Sequence, residues 1–271
     1  MKPISELYPL LQIPRKVVIT THQKPDADAM GSSMALQQWL TKLGHSVTVI
    51  SPTNWAGWVN WMPGAKEVID YEKEKRKADL ILDEAEWLFC LDFNIFHRTK
   101  SMTGKLQELR CTKILIDHHQ EPDVASFDYG ISTTAKSSTC EMVYDFIIGS
   151  AHADLIDGHI SQCIYAGVVG DTGSFRFASA TASVHRLVAD LKERGLEHSY
   201  VHDQLFDNFL ENRWRFVGNV LQNRMEVFYE DNTVLIAIPK GDLRKNENRT
   251  GDTEGLVNYP QSIQGIKLVA L

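Results

Sequence analysis

Apolar residues run along this chain in two rhythms. Residues 17–21, 46–50, 87–91 and 113–117 are short apolar runs of strand length. Elsewhere the spacing is helical. Leu36, Trp39, Leu40 and Leu43 predict a helix over 32–43, stopped by Gly44. A helical segment is expected near 104–110. Ser138-Thr139-Cys140-Glu141 has the form of a capping box ahead of a helix to about residue 148. Ile160, Cys163, Ile164, Gly167 and Val168 mark a helix over 159–169, and another over 182–194 stops at Gly195. Residues 54–62 read as a short helix ended by Pro63-Gly64, with Trp55, Trp58 and Trp61 forming one packed face. Residues 72–77 read as a charged surface stretch.

Alternating strands and helices predict an α/β fold, a parallel sheet with helices on both faces and right-handed crossovers. The character changes after residue 195. One long helix is expected over 202–227, then a strand at 233–239, a polar loop at 240–255 and an apolar run at 265–271. The expected organisation is a main domain over 1–195, a helical linker over 196–227 and the start of a smaller α/β domain over 228–271. Roughly 40 residues beyond the linker are few for an independent core, so that second domain is expected to be incomplete.

Composition narrows the function. The chain has 271 residues, 43% hydrophobic and 23% charged, as in ordinary globular proteins. No apolar stretch nears the roughly 20 residues of a membrane helix. The N-terminus lacks the apolar core of a signal peptide. The four cysteines, Cys90, Cys111, Cys140 and Cys163, include no C-x-x-C pair, and Cys90 and Cys163 sit in apolar runs as expected of buried thiols. Together these features predict a cytoplasmic protein without membrane partners. The formal net charge of -7 argues against binding long nucleic acid by phosphate neutralisation, but leaves room for a small anionic substrate.

The candidate chemistry lies where strands end. His22, Asp26 and Asp28 follow the 17–21 run, Asp92 follows 87–91, and Asp117-His118-His119 closes 113–117. Asp171 stands in Gly170-Asp171-Thr172-Gly173. In an open parallel sheet the carboxyl ends of strands share one edge, where ligands bind. Carboxylate oxygens mixed with imidazole suit Mn²⁺, Mg²⁺, Fe²⁺ or Zn²⁺. Two such ions about 3.5–4 Å apart form a phosphoester-cleaving centre, lowering the pKa of bound water from about 15.7 towards ~7. An imidazole such as His119 can donate a proton near neutral pH. Ser138 and Thr139 are read as a helix cap, with a phosphate at that N-terminus as the alternative. The remaining histidines, among them His185, His198 and His202, read as structural or surface residues.

These motifs, in this order, resemble those of the DHH phosphoesterases, and within them the nanoRNase / pAp phosphatase (NrnA-type) branch. The resemblance covers nearly the whole chain, including Asp252-Thr253-Glu254-Gly255-Leu256-Val257-Asn258. It implies one metal held by His22, Asp26 and Asp92, and a second by Asp28, His118 and Asp171, with Asp92 bridging. The metal implied is Mn²⁺. His119 would sit by the substrate phosphate, and Arg98 and Arg176 would contact it. The implied substrates are short RNA oligonucleotides and nucleoside bisphosphates such as pAp, with a homodimer left open. Polyphosphate, pyrophosphate, a linear or cyclic dinucleotide, or nucleotide binding without catalysis are the alternatives. The family's late Gly-Gly-Gly-His motif does not occur in this sequence, which puts substrate affinity in question.

Overall fold

The computed structural model describes residues 1–245, 247 and 251–271. Residues 1–55 and 59–205 form one compact unit, and residues 56–58 and 206–271 form a second.

The first unit is a seven-stranded, wholly parallel sheet. Its strands are β1 (Lys2–Pro3), β2 (Lys16–Thr20), β3 (Ser46–Ser51), β4 (Ile69–Asp70), β5 (Trp87–Leu91), β6 (Thr112–Asp117) and β7 (Tyr129–Ser132). They lie in the order β1-β7-β6-β5-β2-β3-β4. Its helices are α1 (Ala27–Lys42), α2 (Lys75–Asp83), α3 (Thr103–Glu108), α4 (Thr139–Gly149), α5 (Gly158–Asp171), α6 (Ala182–Glu193) and α7 (His198–Phe206).

The central strands are buried on both faces, which is why they read as continuous apolar runs and not as alternating ones. Val18, Leu88, Cys90 and Leu115 point to one side, where they pack with Ala78 and Leu82 of α2 and Leu106 of α3. On the other side Phe89 meets Phe146 of α4, and Trp39 of α1 packs edge-on against the same ring. Helix α5 lies along α1. That approach is close enough that a Cβ at Gly31 would strike the Cys163 carbonyl. Cys90, Cys140 and Cys163 are buried free thiols.

Some expectations change. Residues 54–62 hold only a 3-10 turn, Gly57–Val59. The side chains turned inward there are Ala56, Val59 and Met62, one position along from the tryptophans. Trp55, Trp58 and Trp61 are half-exposed, and Trp55 Nε1 donates to Asn60 Oδ1 at 2.8 Å. The charged stretch at 72–77 runs into α2, whose apolar residues Ala78 and Leu82 come only after its basic first turn. The short strands β1, β4 and β7 carry too few residues to show a period.

The second unit contains α8 (Glu211–Asn223), β8 (Met225–Phe228), β9 (Thr233–Ile236), α9 (Lys240–Lys245), α10 (Asn258–Gln261) and β10 (Leu268–Ala270). The single helix expected over 202–227 is therefore two helices and a strand. Asp207 and Asn208 fall in the break between α7 and α8, and both residue types disfavour helix interiors. From Met225 burial alternates with period two, as in a half-buried strand. The polar loop expected over 240–255 contains α9, and its residues 246 and 248–250 lie outside the described residues. β9 pairs antiparallel with β8 and parallel with β10. Phe216, Val217 and Val220 of α8 pack with Val234, Ile236 and Leu256. Leu256 belongs to the 252–258 segment, whose Asp252 and Glu254 carbonyls accept from the Arg213 guanidinium at 3.4 and 3.2 Å. No helix among the described residues is long and apolar enough to cross a membrane.

Candidate metal centre

β6, β5 and β2 are neighbours in the sheet, so the residues following them meet at one edge. His22 lies just beyond β2, Asp92 just beyond β5, and Asp117 ends β6. Asp92 has a left-handed backbone, φ 64°, an uncommon conformation for a residue with a Cβ. It turns the chain sharply at the strand end, while its N–H still donates to the Ile116 carbonyl at 3.1 Å.

The Asp92 carboxylate stands between two groups of donors. Its Oδ2 lies 3.3 Å from His22 Nε2, and its Oδ1 lies 3.4 Å from His118 Nε2. On the first side, Asp26 Oδ2 is 4.0 Å from His22 Nε2. On the second, Asp171 Oδ2 and Asp28 Oδ2 are 3.2 and 3.8 Å from His118 Nε2. Candidate ligand atoms of His22, Asp26 and Asp92 all lie within 4.8 Å of one another, as do those of Asp28, His118 and Asp171.

Local structure aims these groups. Asp26 is the N-cap of α1, its Oδ1 accepting from the N–H groups of Asp28 and Ala29 at 3.0 and 3.1 Å. Its Oδ2 is left to face His22. The Gln23 carbonyl lies 2.7 Å from His22 Nδ1 and can only accept, so Nδ1 carries the proton and the Nε2 lone pair faces the site. Asp28 is in the first turn of α1 and has no exposure. Its two oxygens accept from the N–H groups of Thr139 (2.6 Å) and Cys140 (2.8 Å), the first amides of α4. A carboxylate suits that position, because a helix N-terminus is partly positive. Gly167 of α5 closes the packing; a Cβ there would come within 2.6 Å of Asp28 Oδ1. The alternative of a phosphate at this N-terminus is thus overturned, because Asp28 already fills it.

The titration directions follow from this crowding. Burial, then the nearby Asp92 charge, pushes the Asp28 carboxyl up to about 7. Burial alone would raise Asp92 too, but hydrogen bonds to His118 and His22 hold its carboxyl well below the usual range. Burial disfavours the His118 imidazolium, yet Asp92 and Asp28 raise its pKa to about 9. Without cations, protons shared with imidazoles neutralise the acids. The donor set fits divalent cations in their place: hard carboxylate oxygens, imidazole lone pairs turned inward, and outer hydrogen bonds that fix ligand orientation.

The other expected residues are placed as follows. His119 is part-buried, with Nδ1 2.7 Å from Asp117 Oδ1 and its own N–H donating to Asp117 Oδ2 at 3.1 Å. Its Nδ1 is 3.7 Å from Asp92 Oδ1. Arg98 is half-buried, and its carbonyl accepts from the Gln23 N–H at 2.9 Å, beside the His22 loop. Arg176 is exposed, with Nε donating to the Gly173 carbonyl at 2.7 Å.

Asp117 and Thr139 matter more than their sequence positions suggested. Asp117 is fully buried and holds His119. The Thr139 hydroxyl donates to Asp92 Oδ1 at 3.0 Å. Asp117 could have been found, since it follows an apolar run and precedes two histidines. Nothing local marks Thr139 as a partner of Asp92, 47 residues away.

A parallel sheet carrying carboxylates and imidazoles at the carboxyl edge of its central strands defines the class of this protein. The chain belongs to the DHH family: the N-terminal domain of that family matches residues 16–168. It is similar to the bifunctional oligoribonuclease and PAP phosphatase NrnA of Bacillus subtilis, 25% identical over 97% of this chain and 79% of that protein. It is also similar to NrnA of Thermus thermophilus, 28% identical over 96% of this chain and 73% of that protein. Among solved structures, an exopolyphosphatase-related protein from Bacteroides fragilis superimposes with a TM-score of 0.92 at 32% identity, over 97% of this chain and 77% of that one. A putative family II inorganic pyrophosphatase from Methanococcus jannaschii shares the fold, with a TM-score of 0.53 and 12% identity, over 94% of this chain and 83% of that one. The chain is accordingly a phosphoesterase.

Proposed function

We propose that this chain is a Mn²⁺-dependent phosphohydrolase that degrades very short oligoribonucleotides and removes phosphate from 3′,5′-bisphosphonucleosides such as pAp. The carrying observation is Asp92, whose two oxygens face two separate donor groups. In this reading His22, Asp26 and Asp92 would hold one cation and Asp28, His118 and Asp171 the other, with Asp92 available to both. Divalent ions bound there supply charge neutralisation for a phosphate and a water acidic enough to ionise near neutral pH.

The chain's own groups do the rest. The Asp117 carboxylate fixes the His119 tautomer with the proton on Nδ1, leaving Nε2 to meet the substrate. As an imidazolium, His119 donates a hydrogen bond from Nε2 to a phosphate oxygen and can pass that proton to the leaving oxygen. Arg98 and Arg176 extend the cationic rim towards the remaining phosphate oxygens. Similarity to the two NrnA proteins supports the substrate class.

The exopolyphosphatase-related neighbour favours a second reading, hydrolysis of a phosphoanhydride chain. One substrate panel separates the two: pAp, a diribonucleotide, linear pApA, pyrophosphate and polyphosphate with added Mn²⁺, and Asp92→Asn as control. Release from pAp and the diribonucleotide, lost in the variant, is expected. Release from polyphosphate or pyrophosphate alone would replace this reading by the second.

A further inference from the structure

Thr139 touches two carboxylates that face His118, one of them the Asp92 shared with the His22 group. Its N–H donates to Asp28 Oδ2 at 2.6 Å, and its hydroxyl donates to Asp92 Oδ1 at 3.0 Å. Both acceptor atoms belong to the His118 half of the cluster, lying 3.8 and 3.4 Å from His118 Nε2. Thr139 has no exposure, so water does not compete for its hydroxyl proton. The His22 half is held differently. There Asp92 Oδ2 faces His22, and Asp26 is fixed by amides of its own helix.

Thr139 is itself anchored. Ser138 Oγ accepts from the Glu141 N–H at 3.1 Å, capping α4. The buried Glu141 carboxylate does not close the expected box onto Ser138. It accepts from Ser137 N and Oγ, at 2.8 and 2.9 Å, and from Ser183 Oγ at 2.9 Å, with Lys136 Nζ at 3.1 Å. This network ties the start of α4 to the preceding loop and to α6. Asp92 Oδ1 is thus aimed by a hydroxyl on a fixed support, and Asp28 by the amide of the same residue.

We propose that Thr139 is a positioning residue that makes the two cation sites unequal, its hydroxyl acting more strongly on the His118 half, whose side of Asp92 it touches, than on the His22 half. The inference rests on the two-cation reading above. Removing a hydrogen-bond partner of a metal ligand typically weakens metal binding about 10–100-fold. A Thr139 that merely filled space would, on replacement, weaken both halves alike or neither.

The test is a Mn²⁺ titration of the full chain, following the signal of free aqueous Mn²⁺ by electron paramagnetic resonance. Thr139→Val keeps the volume and the amide but deletes the hydroxyl, and Thr139→Ser keeps the donor. Each is made in wild type and in two single-site backgrounds, His22→Ala and His118→Ala. Thr139→Val is expected to weaken the ion remaining in His22→Ala about 10–100-fold and the ion remaining in His118→Ala by a smaller factor, because the hydroxyl meets Asp92 through Oδ1 and not through the Oδ2 that faces His22. Thr139→Ser should restore tight binding. Equal weakening in both backgrounds, or none in His22→Ala, overturns the proposal. Circular dichroism checks folding, and should Thr139→Val not fold, Thr139→Ala deletes the same donor and is read the same way. Failure of the wild-type chain to bind Mn²⁺ would instead sink the two-cation reading and this inference with it. Two bound ions with the His22→Ala ion indifferent to Thr139 would sink this inference alone.

Discussion

Asp26 and Asp28 are two residues apart, yet the fold uses them in opposite ways. Asp26 caps the helix it begins and keeps a carboxylate oxygen at a half-open rim. Asp28 is sealed, its two oxygens on amides of α4 more than a hundred residues away. One acid is held by local geometry and the other by the packing of three helices, α1, α4 and α5. The proposed cations would therefore gather ligands of two origins, and the two halves of the cluster should respond differently to mutation and pH.

The largest effect should come where the halves join. Asp92→Asn removes the carboxylate shared by both donor groups. Metals contribute several kcal/mol to phosphoryl-transfer barriers, so the rate with Mn²⁺ should fall by at least ~10³-fold. Steady-state release from pAp checks this. Substantial activity in Asp92→Asn would mean that the two halves work without a shared ligand.

The comparison sharpens in metal-free protein. Asp26→Ala removes one helix cap, costing about 1 kcal/mol. Asp28→Ala strands two buried amides, each costing about 1–3 kcal/mol. Urea denaturation in a chelator at pH 5 should therefore rank Asp28→Ala as the more destabilised. At pH 8 the ranking should narrow, because wild-type Asp28 is by then ionised in a buried site. Equal costs for the two variants at pH 5 would show that the α4 amides find other acceptors.

The wild-type pH profile follows from the same groups. Asp28 is raised from 3.8 to about 7, so the folded state binds its proton more tightly than the unfolded chain does. That contribution is complete below pH 3.8 and is lost as pH rises through about 7. His118 is raised from 6.5 to about 9, so its contribution is complete below pH 6.5 and lost by about pH 9. Asp92 is depressed, so its contribution is lost only in strong acid. Metal-free stability should therefore decline between pH 4 and 9, and the stabilisation on adding Mn²⁺ should grow over that range. A thermal melt series with and without chelator measures both slopes. Asp28→Ala should flatten the acidic part of the decline and shrink, without abolishing, the part due to His118, since Asp92 still raises that imidazole.

What could be read from sequence divides along the same line. The runs behind β2, β5 and β6 are buried on both faces, so their apolar character was continuous and their ends marked the site. Asp26 was read as a ligand and not as a cap, because the helical pattern began only at 32 while α1 begins at Ala27. The partners of Asp28 and Asp92 were not legible, because Thr139 and Cys140 reach them only through the crossing of α1, α4 and α5. Gly167 looked like part of an apolar helix face, and its need for lacking a Cβ emerges only with Asp28 beside it. The second unit was read less well, since short strands and Asp207-Asn208 gave a period-3.6 pattern no clean end. Trp55, Trp58 and Trp61 misled because their spacing was right for a helix while the residues one step along were the buried ones.

The smallest predicted effect concerns a residue outside either ligand group. Asp117 bonds the ring of His119 and also its backbone N–H, so it sets both the tautomer and the direction of Nε2. Asp117→Asn can still accept one of these bonds but presents an amide that does not stabilise an imidazolium. General acid catalysis contributes about 10²–10⁴-fold in full. Weakening the acid without removing it should cost less, about tenfold in kcat, with KM nearly unchanged. His119→Ala should lose more, and adding Asp117→Asn to it should cost little further, because the carboxylate acts through the ring. Full additivity of the two changes would mean that Asp117 serves the strand end of β6 and not His119.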